Sequence, residues 1–401
     1  MQNPTPIISQ ERMAKLKSIP FKDAPSPAFI VHTDLLEENC QCLKAIKEAT
    51  GAKILLAQKG FSCFSTYPIL SNYLDGTTSS GLHEALLAKE YFGKEIHVYS
   101  PAFSHDEVQE IAPFCHSIIF NSIPQLLMGI EATQDIAQVA FGLRVNPEVT
   151  SDTTEKYNPC APNSRLGITR AALEKAYSKD SKNPLKAISG LHFHTLCEED
   201  ADALEKTALA FEANFKALFK QCKWLNFGGG HHITRPGYNT ELLCEIINYF
   251  QNKYDLRVYL EPGEAIALHT GILNTQVLDI IENGNAQIAI LNTSATCHMP
   301  DVLEMPYRPN ILNNGLADEK AHSYILGGRS CLAGDTIGAY SFDQELKIGD
   351  DLQFLDMAHY TMVKTTTFNG VALPDICLYN KEEGLKVIRK FNYDDYKTRL
   401  S

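Results

Sequence analysis

The 401-residue sequence contains no apolar run long enough to cross a membrane, because a spanning helix needs about 20 consecutive, mostly apolar residues. It also lacks a basic segment leading into an apolar one: Met1-Gln2-Asn3-Pro4-Thr5-Pro6 carries neither, so no secretory leader is expected. Eleven cysteines are present, but they form no CxxC pair and no short disulfide framework. Scattered thiols of this kind point to a reducing, cytoplasmic setting. Basic residues are in deficit, 36 against 48 acidic ones, giving a net charge of -12. That balance speaks against nucleic acid and anionic membranes as partners and for a cationic ligand, although an acidic surface is equally ordinary in a cytoplasmic enzyme. No GxGxxG follows an early strand, so the fingerprint of a dinucleotide-binding sheet is missing. Internal repeats and low-complexity segments are absent too.

A chain of this length predicts two domains. From about residue 28 to 265, short apolar runs alternate with helical patterns. The strand candidates are Ala28–Val31, Ile54–Gln58, Gly76–Thr78, Ile96–Tyr99, Ser117–Phe120, Phe141–Val145, Ile188–His192, Trp224–Phe227 and Val258–Leu260. Amphipathic stretches such as Asp34–Thr50, Leu82–Tyr91, Asp200–Lys220 and Thr240–Lys253 lie between them. Repeated strand–helix alternation predicts a parallel α/β barrel of the (β/α)8 kind, with an open doubly wound sheet as its structural rival. After residue 265 Gly, Asn and Pro become frequent. Gly271–Ile281, Ala286–Asn292, Asp351–Leu355 and Phe368–Ala372 read as strands with few helices between. A second, mostly β domain over 266–401, joined by residues 1–27, is expected.

Several residues carry candidate chemistry. Lys59 closes the apolar run Ile54-Leu55-Leu56-Ala57 and precedes Gly60, so it reads as an amine at the carboxyl end of a buried strand. Burial favours the uncharged amine, the nucleophilic form that condenses with a carbonyl. A strand-end lysine reaching solvent is the plainer alternative. Gly228-Gly229-Gly230 follows the strand ending near Phe227. Such a loop can turn backbone N–H groups onto a phosphate, or it can simply be flexible. Glu261, ahead of Pro262-Gly263 at a strand end, can bind a protonated pyridine nitrogen or serve as a cap or ion-pair partner. His192-Phe193-His194 ends another strand. Alternation puts both rings on one side, which suits either zinc, completed by His231-His232, or stacking on a cofactor. His192 by itself reads as structural. Cys331 lies four residues before Asp335 in a Gly-rich loop, and Tyr360 precedes Thr367-Phe368-Asn369-Gly370. Taken alone, the first reads as a small buried hydrophobe and the second as core with a bonded hydroxyl.

Together and in this order, these segments resemble the fold-type III pyridoxal phosphate (PLP) decarboxylases, the group that acts on ornithine, diaminopimelate and arginine. The similarity runs over nearly the whole chain. It is greatest to the branch that acts on carboxylated polyamines, on AQKGFS at 57–62, TTSSGLHEALLAKE at 77–90, LRVNPE at 143–148, PNSRLGI at 162–168, HFHTLCE at 192–198, NFGGGHHIT at 226–234, LEPGEA at 260–265, GGRSCLAGD at 327–335 and HYTMVKTTTFNG at 359–370. The resemblance implies a PLP-bearing barrel, a β domain and a homodimer with shared active sites. It also implies Lys59 as the Schiff-base lysine, His194 stacked on the ring, Glu261 at the ring nitrogen and Gly228 to Gly230 at the phosphate. Cys331 and Asp335 match a loop that enters the neighbouring subunit's site, and Tyr360 matches a tyrosine near the phosphate. Many relatives carry Arg after the EPG triplet. This chain has Glu264, as does the polyamine branch. Leu332 stands where relatives often carry an acid, which disfavours an amino-acid side chain such as ornithine's.

The implied reaction is decarboxylation of a carboxylated polyamine, with Cys331 as the acid that reprotonates Cα. Asp335, Asp301 and Glu304 are candidates for the cationic tail, the last two on position and charge alone. Three rivals remain at this level: a diaminopimelate or arginine decarboxylase of the same fold, a PLP-binding regulatory protein without turnover, and a zinc hydrolase built on His192, His194, His231 and His232.

Overall fold

A computed structural model describes residues 8–136, 139–149, 158–177, 183–305 and 307–401. The expectation about a leader falls on residues 1–7, outside the described residues. The chain divides into two compact units, Asn39–Ile266 on one side and Met1–Glu38 with Ala267–Ser401 on the other.

The first unit is a closed barrel of parallel strands. They are Lys53–Ala57, Gly76–Ser79, Glu95–Tyr99, Ser117–Phe120, Ala140–Arg144, Ile188–His192, Trp224–Asn226 and Arg257–Leu260, and the last pairs back onto the first through Lys53–Tyr259 and Ile54–Leu260. Closure leaves no edge and buries each strand's centre, which is why the strands read as short apolar runs. Leu55, Ile119, Trp224 and Tyr259 pack together inside. The Trp224 indole fits because its neighbour is glycine: a Cβ on Gly190 would stand 2.1 Å from the Trp224 ring. The outer helices follow their apolar spacing. Helix Ala201–Phe219 buries Leu204, Ala208, Phe211, Phe215 and Phe219, one stripe at helical period. It starts where the Asp200 side chain accepts the Ala201 N–H.

The second unit is built on a nine-stranded sheet. The long strand Gly271–Asn283 organises it, pairing antiparallel with Ala28–His32 and Asp351–Leu355 over its first half and with Ala286–Leu291 over its second. Its adjacent residues Ile272 and Leu273 face opposite sides, so one strand serves two apolar clusters. Phe29, Leu273, Val277, Leu326, Tyr340 and Phe354 belong to one. Leu16, Ile19, Ile30, Ile272, Leu355 and Cys377 belong to the other.

Two expectations are corrected. The run at residue 28 does not open the barrel. Ala28–His32 lies in the sheet, antiparallel to Gly271–Asn283 and parallel to Asp375–Asn380. A fully apolar run shows that a strand is buried but not which sheet it joins. Phe368–Ala372 is not a strand: Phe368–Gly370 is a 3-10 turn with Asn369 at φ 56° and Gly370 at φ 70°. Those left-handed angles suit Asn-Gly and are incompatible with a strand.

Candidate active site

At the carboxyl ends of the barrel strands the backbone ladder runs on into loops and fixes what they present. Ala57 N–H donates to the Pro262 carbonyl at 2.9 Å and Gln58 N–H to that of Thr78 at 3.1 Å. The buried Gln58 side chain donates to Ser79 Oγ (2.8 Å) and the Glu84 carbonyl (2.7 Å), and accepts from Tyr67 Oη (2.7 Å). This network ties down the residue before Lys59. Behind it, Gly60 leaves room for the Pro262–Glu264 loop: a Cβ there would come within 3.0 Å of Glu264 N.

Lys59 is exposed by surface area, not buried as expected. Protein atoms nevertheless surround the amine, and it is this crowding over several ångströms that governs how well its charge is solvated. Desolvation, then the Arg144 guanidinium, lower the ammonium pKa below its ordinary value, with Glu261 and Glu84 opposing. The neutral amine is therefore more accessible than in a surface lysine.

Glu261 is buried. Its Oε1 accepts from Asn226 Nδ2 at 2.7 Å and its Oε2 pairs with His192 Nε2 at 3.1 Å. Burial alone would raise its pKa, but the His192 and Asn226 donors outweigh burial and hold the carboxyl below the ordinary range. An ionised carboxylate only accepts, so His192 Nε2 carries the proton. Burial keeps the rest of that ring neutral. His192 is thus Glu261's hydrogen-bond partner. Tyr99 stacks with His192 (ring centroids 5.6 Å apart) and lies under the buried Arg144 guanidinium at 4.6 Å. Arg144 in turn donates to the His194 carbonyl at 2.8 Å.

His194 Nδ1 accepts the Gly229 N–H at 3.0 Å, and burial followed by the nearby Lys59 and Arg144 charges pushes its pKa well below ordinary. It presents a neutral, flat ring. Gly228 and Gly230 have φ of 66° and 85°. A Cβ on Gly229 would stand 2.2 Å from the Glu261 carbonyl oxygen, and one on Gly230 1.9 Å from that of Leu196. Glycine is therefore demanded by the protein's own backbone. The N–H groups of Gly228 and Gly229 are turned inward, to Asn226 Oδ1 (2.8 Å) and His194 Nδ1.

These residues fit a pyridoxal group. The amine has a lowered pKa, a buried anion can hold a ring-nitrogen proton, and a neutral ring is available to stack. Asn226, Arg144, Tyr99 and Gln58 were not singled out from the sequence. Their signal was only membership in conspicuous motifs, since a strand-end Asn or Arg has no spacing that sets it apart. The histidines expected for zinc are engaged separately: His231 Nδ1 lies 2.6 Å from Tyr238 Oη and His232 Nε2 lies 3.3 Å from Glu264 Oε2. Among the described residues no group of three His, Cys, Asp or Glu side chains is placed to hold a metal ion.

In the second unit Cys331 is exposed on the loop between Gly327 and Thr336, and Tyr360 lies in the left-handed region (φ 48°) after strand Asp351–Leu355. Asp335 is buried, its carboxylate accepting the N–H groups of Ser330 (3.0 Å) and Thr296 (3.2 Å). Asp301 and Glu304 both pair with Lys364. A substrate ammonium would have to displace Lys364 from them, which weakens their expected role at a polyamine tail.

A family model described as pyridoxal-dependent decarboxylase, C-terminal sheet domain, matches residues 96–358. A carboxynorspermidine/carboxyspermidine decarboxylase of Campylobacter jejuni is 48% identical over 391 residues, covering 94% of this chain and 99% of that protein. A carboxyaminopropylagmatine decarboxylase of Synechocystis is 43% identical over 377 residues, covering 94% and 95%. The crystal structure of the Campylobacter jejuni carboxynorspermidine decarboxylase complexed with norspermidine matches with a TM-score of 0.85 at 46% identity, over 93% of this chain and 99% of that one. Diaminopimelate decarboxylase from Helicobacter pylori, at 18% identity and a TM-score of 0.82 over 94% and 98%, shares the fold.

Proposed function

From the premise that the chain belongs to the pyridoxal-dependent decarboxylase family, we propose that it removes CO2 from carboxynorspermidine, carboxyspermidine or both, giving norspermidine or spermidine in polyamine biosynthesis. The relatives of Campylobacter jejuni and Herminiimonas arsenicoxydans, 48% and 35% identical, support this reading. The observation that carries it is Glu261, kept ionised by Asn226 and His192 on the same barrel face as Lys59 and the neutral His194. When bound, PLP supplies a cationic ring that draws off the electron pair of the Cα–carboxylate bond.

The chain's own groups make that possible. Lys59 presents an amine of lowered pKa that would hold the cofactor through its carbonyl carbon. Glu261 would hold the proton on the ring nitrogen, and the neutral His194 ring would be available to pack against the cofactor. The loop Gly228 to Gly230 and, as the resemblance implies, Tyr360 would hold the phosphate. The Cys331 thiol delivers the proton that replaces CO2 on Cα, and solvent returns a proton to the sulfur. The working unit is a homodimer in which the Cys331 loop completes the neighbour's site, as the resemblance implies. All eleven cysteines are free, which supports a reducing cytoplasm. No described helix is long and apolar enough to cross a membrane.

The Synechocystis relative favours a second substrate, carboxyaminopropylagmatine, which ends in a guanidinium rather than an ammonium. Comparing kcat/KM for carboxynorspermidine, carboxyspermidine, carboxyaminopropylagmatine, diaminopimelate and arginine tests both readings. The carboxylated triamines should lead the two amino acids by a factor of about 10⁴, because a site built for a long polycation leaves polar groups unpaired around a short substrate. A lead for the guanidinium compound moves the assignment to the second reading. Equal turnover of diaminopimelate moves it to an amino-acid decarboxylase.

A further inference from the structure

The Cys331 loop is fastened by a segment that has no assigned role. The short helical turn Ala295–His298 is buried and makes hydrogen bonds in two directions. Toward residues 328–335, Thr296 N–H donates to Asp335 Oδ1 at 3.2 Å and the Thr293 carbonyl accepts from Arg329 N–H at 3.2 Å. Toward residues 366–372, Thr366 N–H donates to the Cys297 carbonyl at 2.8 Å, and the Cys297 thiol points to the Phe368 carbonyl at 3.5 Å.

His298, fully buried, adds a further tie. Its Nδ1 accepts the Ser294 N–H at 3.3 Å, so Nε2 carries the proton and donates to the Ala372 carbonyl at 3.0 Å. Burial brings its pKa down to about 4, so the ring stays neutral and in that tautomer at neutral pH.

The two fastened loops meet at one bond: Cys331 N–H donates to Asn369 Oδ1 at 2.8 Å. Asn369 holds φ 56°, a conformation that costs most residues but suits Asn and Gly. On the other side of Cys331, Asp335 Oδ2 takes the Ser330 N–H. The backbone amides at 330 and 331 are therefore both held by side chains, while the Cys331 side chain stays exposed.

We propose that Asn369, with Asp335, is a positioning residue for Cys331: it fixes the backbone that aims the thiol and does not itself meet the substrate. The proposal rests on the reading of Cys331 as the proton donor to Cα. It also reassigns Asp335 from the substrate's tail to the loop. Both arms of the clamp lie within one unit of the chain, so the aim is set before any second copy is engaged.

A double-mutant cycle on the PLP-loaded enzyme tests it. Asn369→Gly keeps the left-handed backbone and removes the acceptor; Asn369→Asp keeps an acceptor oxygen. Misplacing a reacting group by about 1 Å can cost up to about 10²-fold. Asn369→Gly should therefore lower kcat by about tenfold or more with KM within about twofold, and Asn369→Asp should recover most of the loss. In the Cys331→Ala background Asn369→Gly should cost less than about twofold, because a residue that acts through the thiol has nothing left to aim. A second measurement is alkylation of the Cys331 thiol by iodoacetamide, followed by mass spectrometry. Asn369→Gly should change the Cys331 rate by about threefold or more and leave the other cysteines unchanged. Equal costs in both backgrounds, or an unchanged alkylation rate, would overturn the positioning role. Cys331→Ala with unaltered turnover would instead sink the proton-donor reading, and the two failures cannot be confused.

Discussion

The barrel and the sheet unit present functional groups by different means. In the barrel, Lys59, His194 and Glu261 each stand just past a strand, and the backbone ladder that builds the strand also fixes the residue beyond it, as with Ala57 to Pro262 and Glu261 N–H to the Gly228 carbonyl at 2.7 Å. In the sheet unit, Cys331 lies on the loop joining the paired strands His322–Gly327 and Thr336–Phe342, and Tyr360 follows strand Asp351–Leu355, both beyond the last paired residue. There side-chain acceptors, Asp335 and Asn369, take over the task. A closed barrel brings all its strand ends to one rim, so position follows from topology. An open sheet has no such rim, and each loop must be tied down separately.

The strongest way to break this comparison is to injure one unit at a time. Lys59→Ala removes the only amine assigned to the cofactor carbonyl and should cost at least about 10³-fold; borohydride reduction and peptide mapping should label Lys59 in the unaltered chain. If the proposed homodimer shares its sites, mixing Lys59→Ala with Cys331→Ala homodimers should then return up to about a quarter of the intact sites, because random exchange puts both lesions into one site and leaves the other whole. No recovery despite demonstrated subunit exchange would mean that each chain completes its own site.

Next in size is Glu261→Gln, which keeps the shape of the side chain but removes the charge and turns one acceptor oxygen into a donor. PLP should still bind, while kcat falls by about 10²-fold, the range seen when a positioned electrostatic partner is lost. Unchanged kcat at saturating substrate would refute its role at the ring nitrogen.

A third test uses pH. Burial holds His192, His194, His231 and His116 in the barrel unit below the ordinary histidine pKa, His231 at about 4, against His32 and His298 in the sheet unit, the latter also at about 4. A base with a depressed folded pKa binds its proton more readily when unfolded. Its contribution is therefore complete above about pH 6.5 and is lost as pH falls toward the folded value. Between pH 7 and pH 5 the Tm should drop by more than about 5 °C. Amide exchange in Ile188–His192 and Trp224–Asn226 should quicken before that in His322–Gly327. Equal acceleration in both units would erase the distinction.

The smallest effect should come from Glu304→Gln. Its carboxylate is largely exposed and shares Lys364 with Asp301. Surface pairs contribute little, so KM for a polyamine substrate should change by less than about twofold. A large rise in KM would restore Glu304 to the tail-binding set.

The barrel was legible from alternation alone because burial at the centre of a closed parallel sheet forces short apolar runs, and the strand limits inferred for Ile188–His192 and Ser117–Phe120 match the observed ones. The membership of Ala28–His32 was not legible. Its apolar pattern is the same whether it joins the barrel or pairs with Gly271–Asn283, and only the pairing decides. The turn at Phe368–Gly370 was missed because Phe, Val and Ala around Asn-Gly outweighed the local signal for positive φ.

By itself the sequence determined the two-part architecture and the chemical types at the site: an amine after one strand, a carboxylate after another, a histidine and a glycine loop between. These follow from periodicity and from residue chemistry, which are local properties. Tertiary structure alone decided the states of those groups. Glu261 is ionised because Asn226, 35 residues away in the chain, and His192, 69 away, both point at it. Lys59 has a lowered pKa because surrounding protein and Arg144 crowd it. Two of the three loop amides are spent inward because His194 and Asn226 fold back onto them. Proton affinity depends on distance and burial, and neither is written in the order of residues.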